Sequence, residues 1–194
     1  RQVEFIGPQV GEELVTNGLM ALGFVVAGII VYLSMRFEWR FAVSAIIANM
    51  HDIVIILGCF AFFQWEFSLT VLAGILAVLG YSVNESVVVF DRIRENFRKI
   101  RGATPLEVVN IALTETLRRT IHTSMTLLLV VVAMMLMGGD GLKWFSIAMF
   151  VGVFVGTYSS IYIGTAFALW RGLNRQDFIV QVKPEFEGEE QEIP

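Results

Sequence analysis

The sequence predicts an all-α integral membrane protein, a polytopic bundle of five transmembrane helices. Three observations predict it. Hydrophobic residues make up 56% of the 194 and the mean hydropathy is +0.69, too apolar for a soluble domain that must cover its core with polar surface. Five apolar runs have the length of a bilayer crossing, about 20 residues each. The Lys and Arg residues collect in alternate connections between those runs. The net charge of −4 carries no partner signal, because in a membrane protein charges matter by side and not by sum, and nothing points to nucleic acid.

The runs cover residues 18–35, 41–63, 68–90, 121–137 and 144–170. Strands and open loops are excluded at those depths, since a backbone in lipid must satisfy its own hydrogen bonds. In the last run Gly152, Gly156, Ser160 and Gly164 form an i, i+4 stripe of small residues, which predicts close helix packing and nothing more. With the start of the chain outside the cell, twelve Lys and Arg residues fall on the inner side, and only Arg1 and Lys143 fall outside. The expected organisation is the end of an extracytoplasmic segment at 1–16, a bundle at 17–173 with a cytoplasmic loop at 91–118, and an acidic cytoplasmic tail at 174–194. The opening RQVEFIGPQVGEEL has no basic n-region or short apolar core, and is expected to be the tail of a preceding segment of a longer protein. The ending PEFEGEEQEIP is acidic and poor in apolar residues, the composition of a disordered tail.

Within the loop, Thr104, Pro105 and Glu107 combine an N-cap, a proline at the first helical position and a capping-box acid. Leu106, Val109, Leu113 and Leu117 follow at helical spacing, predicting an amphipathic connector helix at the membrane surface. Asp91 and Arg94 are spaced for an i, i+3 pair, and the basic residues around them suit anionic lipid.

The chemistry concentrates in GYSVNESVVVFDRIREN, residues 80–96. Glu85 lies seven residues before Arg92, about 10 Å along the helix, which places an ionisable group well inside the bilayer. Tyr81 and Ser82 share its face, whereas Asn84 is turned about 100° away. The next crossing begins RRTIHTSMT, where Arg119, His122, Thr123 and Thr126 share a face. If the two helices are neighbours, Arg119 and Glu85 lie at comparable depth. Burial favours the neutral acid and an adjacent guanidinium favours the carboxylate, so a moving arginine would load and unload a proton on Glu85. The plain alternatives are an ordinary basic anchor for Arg119 and a structural ion pair or helix-to-helix hydrogen bond for Glu85.

His51 and Asp52 lie about 18 Å along the helix from Arg40, near mid-membrane. Asp52 shares a face with Asn49 and is either a second relay site or a polar clamp; His51 points elsewhere and reads as a hydrogen-bonded packing residue. Two histidines and scattered acids make no recognisable metal set, and the single Cys59 allows no disulfide within the chain. No nucleotide loop or nucleophile elbow is present, so nothing in the sequence indicates an enzyme.

The segments ANMHDIVI, GYSVNESVVVFDRIRENFRKIRG, the TPLE helix start and TLRRTIHTS, with VEFIGPQVGEEL ahead of them, together resemble the SecF members of the SecD/SecF family of bacterial protein-export membrane subunits. The resemblance spans nearly the whole chain apart from the acidic tail. It implies half of a fold like that of the resistance-nodulation-division transporters, packed pseudosymmetrically against SecD. It also implies use of the proton gradient, with no bound cofactor, to promote late translocation and release of exported preproteins across the bacterial inner membrane. The implied partners are SecD, the SecYEG channel, YajC and YidC. Residue by residue, the family's intramembrane acid after Asn matches Glu85, its arginine matches Arg119, and the acid of its His-Asp pair matches Asp52. Many relatives carry Asp where this chain has Glu85. A SecD half would carry the acid one residue earlier, where this chain has Asn84. A small-molecule exporter half of the same fold and a non-conducting structural or assembly subunit remain the competing readings.

Overall fold

The computed structural model describes residues 8–173. It consists of α1 (Pro8–Arg36), α2 (Trp39–Phe62), α3 (Leu69–Lys99), α4 (Pro105–Met137), α5 (Gly139–Tyr158), a π-helical turn (Ser159–Ile163) and α6 (Gly164–Trp170). The last three run on without a break, so five stretches are long and apolar enough to cross a membrane, as expected. The residues expected to form the acidic tail, 174–194, lie outside the described residues, as do residues 1–7.

The parallel pairing of α3 with the final span organises the bundle. Gly74 lies against Ala148, Val78 against Gly152, Ser82 against Gly156, Ser86 against Ser160 and Phe90 against Gly164, each pair 74 residues apart. The small-residue stripe thus receives one α3 side chain per turn. A Cβ on Gly152 would overlap both Val78 methyl groups. α2 covers this pair from a third side. α1 and α4 sit outside, with only 11% and 17% of their spanning windows buried, against 50% for α3 and for the final span. Those open faces are left for lipid or another subunit.

The apolar core is split in two. At the Arg-rich end Leu33, Phe41, Phe90, Ile93 and Val109 form one cluster, with Phe90 4.8 Å from Phe41 and 6.1 Å from Phe37 between ring centres. At the opposite end Ile56, Val71, Ile75, Val78 and Val153 form the other. It is topped by an aromatic group in which Phe63 stacks on Trp65 at 4.7 Å and Phe60 meets Trp144, the belt expected where a helix bundle meets the lipid headgroups.

Three expectations about the basic loop need correction. Residues 91–118 are mostly helix: α3 runs on to Lys99 and α4 begins at Pro105, leaving only 100–104 as a link, reversed with Gly102 at φ 85°. The capping box is present, with the Thr104 N–H donating to Glu107 Oε2 at 2.8 Å and the Glu107 N–H donating to Thr104 Oγ1. The helix it starts, however, is no separate surface connector but the first part of the 33-residue α4. Nothing from Leu117 to Ile121 breaks a helix, and Thr116 donates back to the Ala112 carbonyl at 2.9 Å. The buried face there is Val108, Val109 and Ala112, whereas Leu106 and Leu117 are exposed. Finally, Asp91 pairs not with Arg94 but with Arg36 of α1, at 2.5 Å, which ties the ends of α1 and α3 together.

Gly152→Val is expected to destabilise the bundle by about 1–3 kcal/mol, the range for overpacking a tight core. Gly141→Val, where a Cβ meets nothing within 4 Å, should be near neutral. Thermal unfolding of the purified protein in detergent compares the two.

Candidate functional site

Between the two apolar clusters lies a layer of buried polar side chains. Asp52, Ser82, Glu85, Ser86, Thr120, Ser124, Ser159 and Ser160 are each at most 5% exposed. On α3 two stripes feed this layer. Ser82, expected on the face of Glu85, instead turns with Ser86 towards α2 and the final span, while Tyr81, Glu85, Val88 and Arg92 share a stripe about 100° away.

Asp52 has partners on both carboxylate oxygens: Ser82 Oγ donates to its Oδ2 at 2.6 Å and His51 Nδ1 lies 3.3 Å from its Oδ1. Gly156 makes room for this contact, its Cβ position being 3.5 Å from both Asp52 Oδ2 and Ser82 Oγ. His51 therefore contacts the acid it was expected to point away from, because adjacent ring and carboxylate can meet across one peptide where the ring stays partly exposed. Asn49 donates to the Ala45 carbonyl at 2.9 Å within its own helix. Further along, Ser86 donates to Ser160 Oγ at 3.3 Å, and Ser160 donates to the Ser82 carbonyl at 3.4 Å.

Glu85 differs. It is 3% exposed and makes no hydrogen bond or ion pair among the described residues. Its surroundings follow from the α3–α4 seam, which is antiparallel. Tyr81 bonds Ser124 at 2.6 Å on one side of it, and Arg92 Nε donates to Glu115 at 2.7 Å on the other. Glu85 lies between these bridges, level with the stretch around Thr120 of α4. Thr120 is fully buried and its Oγ1 likewise has no partner. Ser124 in turn meets Thr157 Oγ1 of α5 at 2.8 Å, which closes the seam towards the Trp-rich end.

Arg119 lies at the expected depth, within a turn of Glu85's level, but it faces outward. Its side chain is exposed and has no hydrogen bond or ion pair among the described residues. It lines a cavity of about 460 Å³ with Val88, Asp91, Arg92, Glu95, Glu115 and Thr116. Two supporting residues lie off the site. Asn84 is exposed, as its angle predicts, and Thr123 is exposed with its hydroxyl spent on the Arg119 and Thr120 carbonyls. The structure adds Ser86, Thr120, Ser124, Thr157, Ser159 and Ser160. The i+4 recurrence of Ser82 with Ser86, and of Thr116, Thr120 and Ser124, was the available signal. The histidines, cysteine and acids form no group that could hold a metal among the described residues.

Two buried acids in a polar layer, three packed inner elements and two open outer faces define a multi-pass helical membrane bundle. The chain belongs to the protein export membrane protein SecD/SecF family, C-terminal part, whose model matches residues 1–174. It is 50% identical over 179 residues to the protein translocase subunit SecF of Pseudomonas aeruginosa, covering 92% of this chain and 58% of that protein. It is 48% identical over 191 residues to the SecF of Escherichia coli O157:H7, covering 98% and 59%. The chain thus spans under two thirds of the length of these relatives. Among solved structures, the crystal structure of SecDF, a translocon-associated membrane protein from Thermus thermophilus, matches with a TM-score of 0.80 at 44% identity, over 86% of this chain and 23% of that one. SecDF in a super-membrane-facing form matches with a TM-score of 0.76 at 41% identity.

Ser82→Ala removes one of the Asp52 partners. Its expected cost is roughly 0.6 kcal/mol and no more than about 1.7, the range for hydrogen bonds between membrane helices. Combined with Asp52→Asn in a double-mutant cycle followed by detergent unfolding, the two losses should be less than additive.

Proposed function

We propose that this chain is the C-terminal membrane part of a SecF-type subunit which, together with SecD, uses the proton gradient to promote late translocation and release of exported proteins. The observation that carries this reading is identity of about half to named translocase subunits over 92% and 98% of the chain. SecDF relatives that hold both halves in one chain support SecD as the partner on the open faces of α1 and α4. The SecYEG channel, with YajC and YidC, is the assembly this complex serves, and preproteins are its substrates. The basic ends of the helices face the cytoplasm, and the Trp-rich end faces outward across the inner membrane. Anionic lipid headgroups suit the same basic ends.

In this reading the two acids divide the work. Asp52, held by Ser82 and His51 beside Gly156 of the final span, is a polar clamp between α2 and α3. Glu85, buried with no side-chain partner among the described residues, is the group that takes up and gives up the proton. Arg119, uncommitted and within a turn of the same level, is the charge whose approach favours release. Proton translocation requires no cofactor beyond the gradient.

The test is proton-dependent preprotein release in inverted vesicles carrying the full complex. Glu85→Gln and Arg119→Met should each abolish the stimulation by the gradient, whereas Glu85→Asp, which keeps a titratable group, should retain most of it. Unaltered stimulation in Glu85→Gln overturns the proposal.

A further inference from the structure

We propose that the charged cavity between α3 and α4 is an aqueous vestibule for hydrated protons, and that Val88 is the apolar plug separating it from Glu85. Its purpose rests on the proton-coupled reading above; its geometry does not. The cavity, about 460 Å³, is walled by three carboxylates and two guanidinium groups, a lining that holds water in preference to acyl chains. Three acids against two bases also disfavour a phosphate headgroup. Four of the five charges are already committed, Asp91 to Arg36 and Arg92 to Glu95 and Glu115. Of these five, only the Arg119 side chain has no partner among the described residues.

The position of the cavity supplies the rest. Arg92 and Val88 line it from α3, and the same stripe reaches Glu85 three residues further on, about 4.5 Å deeper. Thr116 lines it from α4, and Thr120 follows one turn deeper on that stripe. Glu85 and Thr120 are both buried and both unpartnered, and neither lines the cavity. A polar destination therefore lies behind one apolar side chain at the end of a water-compatible pocket. This is the arrangement of a hydrophobic constriction, where a branched alkyl group keeps water from crossing until it moves.

The experiment is cysteine labelling of the full complex in inverted vesicles with a membrane-impermeant methanethiosulfonate, in a Cys59→Ser background. Thr116→Cys and Val88→Cys should react at rates comparable to the linker position Arg101→Cys, and the outward-facing Leu129→Cys should not react. Glu85→Cys should react at least about tenfold more slowly than Thr116→Cys; adding Val88→Ala should remove that difference, and adding Val88→Phe should widen it. Thr120→Cys, behind the same plug, gives the same readout should Glu85→Cys fail to assemble. Protection of Thr116→Cys equal to that of Leu129→Cys overturns the vestibule. A rate at Glu85→Cys and Thr120→Cys indifferent to both Val88 changes overturns the plug. Labelling is read without a gradient, so it is separable from the coupling test: full preprotein release in Glu85→Gln removes the proton role and leaves the vestibule standing.

Discussion

The structure depends on how closely two parallel helices can approach. Four small residues, one per turn, let the final span lie against α3 so that Val78, Ser82, Ser86 and Phe90 each meet a glycine or serine. In lipid no hydrophobic effect drives helices together, so contact area and interhelical hydrogen bonds must do so. The same closeness that gives Val78 its packing also brings the Ser82 hydroxyl to Asp52 and Ser160 to Ser86. Packing and polar satisfaction are here one arrangement, and α2 completes it by supplying the acid.

That arrangement explains why two acids at similar depth have different surroundings. Asp52 projects into the junction of α2, α3 and the final span, where hydroxyls converge. Glu85, three residues beyond Ser82, has turned off that junction into the seam with α4, where the bridges at Tyr81 and Arg92 pass on either side of it. α4 is one of the two open outer helices, with 17% of its spanning window buried, so the acid without a partner sits beside a helix open to the outside of the bundle. The relay role proposed for Glu85 fits such a boundary better than the inside of a saturated network, which resists the loss of any member.

Much of this was legible in the sequence. The five crossings follow from run length, the α4 start from Thr104, Pro105 and Glu107, the tight span contact from the stripe at Gly152 to Gly164, and the outward turn of Asn84 from its angle relative to Glu85. What was not legible depended on distant partners or on backbone detail. Asp91 finds Arg36 from 55 residues away, which no local spacing announces. The charged stretch 91–118 has the composition of a loop although its residues continue two helices, because salt bridges such as Arg92 to Glu115 and Lys99 to Glu95 let charged faces remain helical. The π-helical turn at Ser159 has no composition signature; it appears only when the backbone is seen, at the level of the polar layer, and such turns are frequent at functional positions. The outward aim of Arg119 follows from which face of α4 the rest of the bundle buries.

α3 and α4 have 31 and 33 residues, so each is roughly 45–50 Å long, well beyond the 30 Å of hydrocarbon that a crossing needs. The excess stands at their Arg-rich ends as an antiparallel stalk, joined at its tip by five residues and laced by Arg92, Glu95, Asn96 and Glu115. No helix break lies between that tip and the turn that carries Glu85. The stalk and the membrane seam are therefore two stretches of the same pair of rods, and a force applied to the tip in water arrives at the buried acid as a change of helix tilt.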